Sequence, residues 1–325
     1  MWLFAFLFFS FNNEVSLVTQ EPLQLHVGAK MSMGSDGSLV AVSRQRLYHW
    51  RADGEPIRVI QGRDKPFRYI ASYLWDRRGQ LYWVIDSSLE AHLFDHQGRY
   101  LGTAHWSDGS PVRIRDVFMV GRRLVILEGD QLTDLELSDG DLFRFVTLAR
   151  GPEGITLTRQ GPPFGRFTHC QRLYQYNYKK GWMVQDGFTK RFFFMNQVTP
   201  KLQFLNALGS AEPESGLTVS PEKRDLFLRW WVETPRKGLD TGDYGKYSKV
   251  TGLYPLGEEL LVGYSIPGEE GGNLGLQRFS KEGREQGEAV RMDGFLVGVY
   301  DGAAHVLQED TRRGELHYLL VRHKF

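Results

Sequence analysis

The first 29 residues contain neither lysine nor arginine, and the whole chain of 325 residues contains one cysteine, Cys170. A single cysteine excludes an intrachain disulfide and a cysteine-built zinc cluster, and its plain role is that of a small buried hydrophobe. Net charge is equally scarce: Lys+Arg 40 against Asp+Glu 39 leaves +1 at neutral pH. So balanced a chain lacks the broad basic surface that a phosphate backbone selects, which argues against nucleic acid as a partner. Apolar residues at helical spacing are missing as well, so no long amphipathic helix is expected. Nor does any apolar run reach transmembrane length. The longest, MWLFAFLFFSF at 1–11, has the length of a signal peptide but no basic leader and no Ala-x-Ala cleavage site. We expect residues 1–13 to be a secretion signal that lacks its first residues, with an ordinary core strand as the rival reading. The mature protein is then periplasmic or extracellular, and membrane contact is expected only through that segment.

Motifs of chemistry are absent too. There is no Gly-x-Ser-x-Gly elbow and no phosphate-binding glycine loop. Asp139-Gly140-Asp141 lacks the further oxygen ligands of a calcium loop and reads as a hairpin turn. His92, His96 and His105 are the nearest approach to a histidine cluster, but no carboxylate motif accompanies them and no metal is expected. No cofactor and no catalytic residue is assigned.

What the chain does contain is a repeat. Asp36-Gly37, Leu39 to Val42, Arg46 to Trp50, Asp53-Gly54 and Ile57 to Ile60 read as turn, strand, strand, turn, strand. Asp-Gly between alternating apolar runs is a strong hairpin signal, because glycine accepts the positive φ of a tight turn. The first turn returns at Gly79 and Gly121, each 42 residues on; the second returns at Gly98 and Gly140. Four short strands at such a period make a propeller blade. Third-unit strands are read at LVILEG, LTDLEL and LFRFV. Later units follow at 180–208, 215–242, 250–283 and 295–321. The expected fold is therefore all-β: a propeller of four-stranded antiparallel blades, seven in number, with six as the alternative if 215–242 is an insertion. The last unit lacks a strand, and EVSLVT at 14–19 has the composition to complete it, leaving one domain over 14–325. Phe192-Phe193-Phe194 and Trp230-Trp231 are read as packing between blades.

This pattern of turn, paired apolar strands, turn and strand resembles the NHL-like and six-bladed propeller families. LARGPEG at 148–154 is similar to the GxGPxE-type link between blades in that group. The resemblance covers most of the chain, but its motifs report blade geometry. It implies a scaffold on which binding modules, lyases, lactonases and sensors are all built.

In such a scaffold the tight glycine turns share one face, and the long connections at 62–67, 104–111, 149–166, 234–240 and 267–273 share the other. Long loops on one side of a rigid body are where ligands are usually met. At or just before the innermost strands, one basic residue recurs: Lys30, Arg68, Arg113, Arg166, Lys249 and Arg291, with Glu214 in the fifth unit. Together they would form a positive collar at the channel mouth for a carboxylate, phosphate or acidic loop. The expected function is a non-catalytic binding scaffold that engages a protein or glycan through the long-loop face. The alternatives are a hydrolase or lyase at the channel mouth and a structural subunit of an envelope assembly.

Overall fold

The computed structural model describes residues 14–17, 19, 23, 25, 30–43, 45–62, 67–128, 143–151, 154–164, 181–185, 192–196, 201–205, 215–216, 250–265, 273–310 and 318–325. The apolar segment 1–13, the LTDLEL strand, Gly140, Cys170 and Trp230-Trp231 lie outside them. So do most of the fifth expected unit and the long connections at 234–240 and 267–272.

After a first short strand, β1 (Glu14–Ser16), the described chain forms six antiparallel meanders. Sheet 1 holds β2 (Met31–Met33), β3 (Leu39–Ser43), β4 (Arg46–Trp50) and β5 (Pro56–Ile60). Sheet 2 holds β6 (Ile70–Asp76), β7 (Leu81–Asp86), β8 (Ala91–Asp95) and β9 (Tyr100–Trp106). Sheet 3 holds β10 (Ile114–Val120), β11 (Arg123–Glu128), β12 (Phe143–Gly151) and β13 (Gly154–Phe164). Sheet 4 holds β14 (Gly181–Gln185), β15 (Phe192–Asn196), β16 (Lys201–Leu205) and β17 (Ser215–Gly216). Sheet 5 holds β18 (Val250–Leu256), β19 (Glu259–Ser265), β20 (Leu274–Ser280) and β21 (Glu285–Met292). Sheet 6 holds β22 (Phe295–Tyr300), β23 (Ala303–Glu309) and β24 (Tyr318–His323), and β1 completes it.

That completion is the closure expected from composition. Glu14, Val15 and Ser16 pair antiparallel with Val321, Leu320 and Leu319, and Leu17 donates its N–H to the Tyr318 carbonyl at 3.1 Å. Tying one terminus to the other removes a free sheet edge and seals the ring.

The described residues pack as six sheets, the alternative count, and do not confirm seven. Among the described residues, each of six buried clusters is shared by two successive sheets. Sheets 1 and 2 meet through Val40, Tyr73 and Phe94, and sheets 2 and 3 through Trp83 and Val117. Phe118, Phe192 and Phe194 join sheets 3 and 4, and Trp182, Phe193 and Val250 join sheets 4 and 5. Leu276 and Leu296 join sheets 5 and 6, while Leu39, Val297 and Leu320 close sheet 6 onto sheet 1. The first strands follow the same circle: β6 lies against β10, β10 against β14, β14 against β18, β18 against β22 and β22 against β2. A seventh blade from the fifth unit would have to separate β14 from β18, which touch. Phe192, Phe193 and Phe194 alternate between two of these cores, as strand geometry requires of neighbours.

The turns follow the repeat with one exception. Gly37, Gly54, Gly98 and Gly121 have φ of 77°, 85°, 78° and 62°. At the turn containing Gly79 the left-handed position falls instead on Gln80, at φ 53°. Sheet 3 departs further. Its strand β11 pairs directly with β12, and much of the connection expected at 149–166 is strand β13. Ile155, Thr156 and Leu157 of β13 pair in parallel with Ala104, His105 and Trp106 of β9, which merges sheets 2 and 3 into one eight-stranded sheet.

Candidate functional site

The first strands surround the axis, and three of them bring charge together there. Lys30 directly precedes β2, while Ser72 and Asp116 are the third residues of β6 and β10. Both of those strands carry a register shift just before the residue, between Ile70 and Ser72 and between Ile114 and Asp116. The same irregularity returns between Val250 and Gly252 and between Leu296 and Gly298. A bulge re-aims side chains and is common beside sites. Here it accompanies the convergence of Ser72 and Asp116 on one point.

Lys30 Nζ lies 2.5 Å from Asp116 Oδ1, 3.2 Å from the Val117 carbonyl and 3.4 Å from Ser72 Oγ, with the Phe118 ring centroid 4.5 Å away. Ser72 Oγ and the Val117 amide donate to the same carboxylate oxygen. Sheets 1, 2 and 3 are thus pinned to one another by a buried carboxylate that accepts from three donors. Two tyrosines extend the pinning. Tyr73 Oη donates to the Val40 carbonyl at 2.6 Å, and Tyr254 Oη donates to the Val297 and Met31 carbonyls at 2.9 and 3.2 Å. Burial pushes both phenols well above the ordinary tyrosine range, so they serve as neutral donors.

Beside this clamp the channel widens into a cavity of about 250 Å³, lined by Met33, Trp75, Met119, Trp182 and Tyr254 together with Lys30. Its walls are mostly apolar, and its charged end is already paired.

The expected collar is only partly where the sequence reading put it. Lys30, exposed Arg68 and half-buried Arg113 do precede innermost strands, β2, β6 and β10. Arg291 does not. It sits on β21, the outermost strand of sheet 5, opposite Gly275, because the innermost strand of the next sheet begins at Phe295. Arg166 and Lys249 lie outside the described residues, as does Glu214.

The histidine cluster is also corrected. His92 meets carboxylates, not His96 or His105. The turn between β7 and β8 folds Asp86 and Glu90 back onto it, and ligand atoms of all three lie within 4.8 Å of one another. His92 Nε2 is 3.1 Å from Asp86 Oδ2, and its Nδ1 is 3.2 Å from Thr103 Oγ1. Burial alone would raise the Asp86 carboxyl. The His92 contact and the amides of Glu90 and Ser88 outweigh it and hold the group below the ordinary aspartate value. Sequence spacing hid this group because Asp86 ends one strand and Glu90 closes the turn that follows it, while His92 lies on the next strand.

No family model matches the chain, and no curated protein matches it. Solved structures do. A DUF4221 family member from Bacteroides vulgatus superposes with a TM-score of 0.62 at 8% identity over 96% of each chain. A Bacteroides fragilis protein described as a predicted exported protein superposes at 0.55 with 11% identity, over 96% of this chain and 94% of its own. At such identity the likeness speaks to the fold alone. This chain folds as a β-propeller.

Proposed function

We propose that the chain is a non-catalytic binding scaffold, periplasmic or extracellular, of the NHL-like six-bladed kind. It engages a protein or glycan partner through the long-loop face. The observation that carries this reading is the axial clamp. Lys30 is committed to Asp116, Ser72, the Val117 carbonyl and the Phe118 ring, so the polar end of the channel holds blades together. Chemistry at the mouth would need a free acid or base at that point. The face around the mouth offers more. Arg68 is exposed and Arg113 half-buried just before the innermost strands β6 and β10. A basic mouth on a nearly neutral chain favours an acidic partner segment.

The test is capture of partners from a cell-envelope extract by immobilised protein, wild type against Arg68→Ala/Arg113→Ala, at low and high salt. Retention by the wild type that the double variant loses, and that salt weakens, supports the reading. Equal retention by both proteins removes the basic mouth from it. Turnover of ester, lactone or glycoside substrates by the purified chain would replace it with the hydrolase or lyase alternative.

A further inference from the structure

A second opening in the molecule is not on the axis. It is a cleft of about 570 Å³ between sheets 2 and 3, where Asp76 ends β6 and Arg122 follows β10. The splice of β13 onto β9 accounts for it. At nine and eleven residues, β12 and β13 are the longest strands described, and β13 joins the two sheets at their outer edge. Arg150 Nη2 makes a second bridge, to the Gly79 carbonyl at 3.2 Å. Held together there, the sheets need not fill the space between them. A pocket of this volume is in the ordinary range for a small ligand.

Its lining is that of a binding site and not of a packing flaw. Trp83, Phe145, Val146 and Leu148 give apolar walls, and Gln160 and Arg122 bring polar groups to them. Two observations specify what the polar groups want. Trp83 is completely buried, yet its indole Nε1–H has no acceptor among the described residues. A buried donor without a partner is costly, so such a group calls for a ligand atom or a reason. Independently, the Arg122 guanidinium meets no partner among the described residues, whereas Asp76, the acid of the cleft, is turned into its own loop. Its Oδ1 accepts the amides of Arg78 and Gly79 at 3.1 and 3.0 Å. The cleft therefore offers unspent donors and positive charge above an aromatic and aliphatic floor.

We propose that this cleft binds a small amphipathic anion, an aromatic or aliphatic body bearing one carboxylate or sulfonate head. The head takes the Trp83 N–H and the Arg122 guanidinium, and the body lies along Phe145 and Leu148. The site is separate from the long-loop face, so it can fail while the partner face stands, and the reverse.

The probe is 8-anilinonaphthalene-1-sulfonate, titrated by fluorescence into the full chain, with decanoate as competitor. One saturable site is expected, with energy transfer from tryptophan and displacement by decanoate. Arg122→Gln should weaken binding about tenfold, the loss of one charge-assisted contact, and should abolish its salt dependence. Gln160→Trp, at an exposed position of the lining, should block binding by filling the cleft while the melting temperature holds. Trp83→Phe should weaken binding severalfold if it folds. Should it fail to fold, the two surface variants still decide. Unchanged affinity in Arg122→Gln together with unchanged affinity in Gln160→Trp overturns the site, as does binding that never saturates.

Discussion

Sheets 1 and 2 meet across one boundary and sheets 2 and 3 across the next, and the same repeat builds both in opposite styles. The first boundary is locked by polar groups that find one another inside it. Tyr73 Oη reaches the Val40 carbonyl, His49 Nδ1 lies 2.6 Å from Tyr82 Oη, and Trp75 stacks on Tyr82 at 4.2 Å. Away from the axial Ser72–Asp116 hydrogen bond, the second boundary is apolar within, around Trp83, Trp106 and Val117, and is held by backbone pairing of β13 with β9 at its rim. Where the lock is internal, the space is filled. Where it is peripheral, a cleft remains. The difference teaches that one strand carried across a blade boundary can replace close packing as the means of joining two sheets.

The comparison breaks most completely at the axis, where both boundaries depend on Asp116. Asp116→Ala leaves the Lys30 ammonium without its carboxylate, and loss of one partner of a buried pair costs about 3–5 kcal/mol. Urea unfolding should show that loss, and Lys30→Met/Asp116→Leu should recover much of it, since two apolar groups need no pairing. A single variant as stable as the wild type would mean that the clamp holds nothing.

Acid should act next, and on the first boundary. Burial depresses the His49 imidazole from 6.5 to about 4. The unfolded chain therefore binds the proton first. Stability is complete above about pH 6.5 and falls as the pH drops toward 4, by about 3 kcal/mol across the whole window. Unfolding midpoints measured along that window should decline, and His49→Gln should flatten the slope. A slope unchanged in that variant would place the acid sensitivity elsewhere.

The smallest effects sharpen the contrast between the two boundaries. Tyr73→Phe removes an internal hydrogen bond of the first and should cost about 1 kcal/mol. Gln160→Ala, in the cleft of the second, gives up only an exposed contact with Thr147 and should stay within about 0.5 kcal/mol of the wild type. Equal losses from thermal melts of the two variants would erase the distinction.

Much of the fold was legible in the chain because its signals are local. Glycine turns at a fixed period marked the hairpins, and the β-rich composition of 14–19 announced the closing strand, since a unit short of one strand needs another. Sheet 3 was misread for the complementary reason. LFRFV continues as far as Gly151, and the TLARG half of β12 is polar enough to pass for a loop. Its partner β13 is held as strand by β12 and β9, not by its own pattern. Arg291 was misplaced because strand order, and not distance from the next apolar run, decides which strand lines the channel. The acids beside His92 were missed because the short turn between β7 and β8 brings them back to it.

By itself, then, the sequence determined the all-β class, the four-strand unit and the sealed terminus, all consequences of turn stereochemistry and side-chain alternation over a few residues. Tertiary structure alone decided the number of sheets in the ring, which depends on β14 meeting β18 across some 65 intervening residues. It alone paired Lys30 with Asp116, 86 positions away, and left Trp83 facing a cleft. Pairing and vacancy are properties of surfaces brought together from distant parts of a chain, and no local pattern encodes which surfaces those will be.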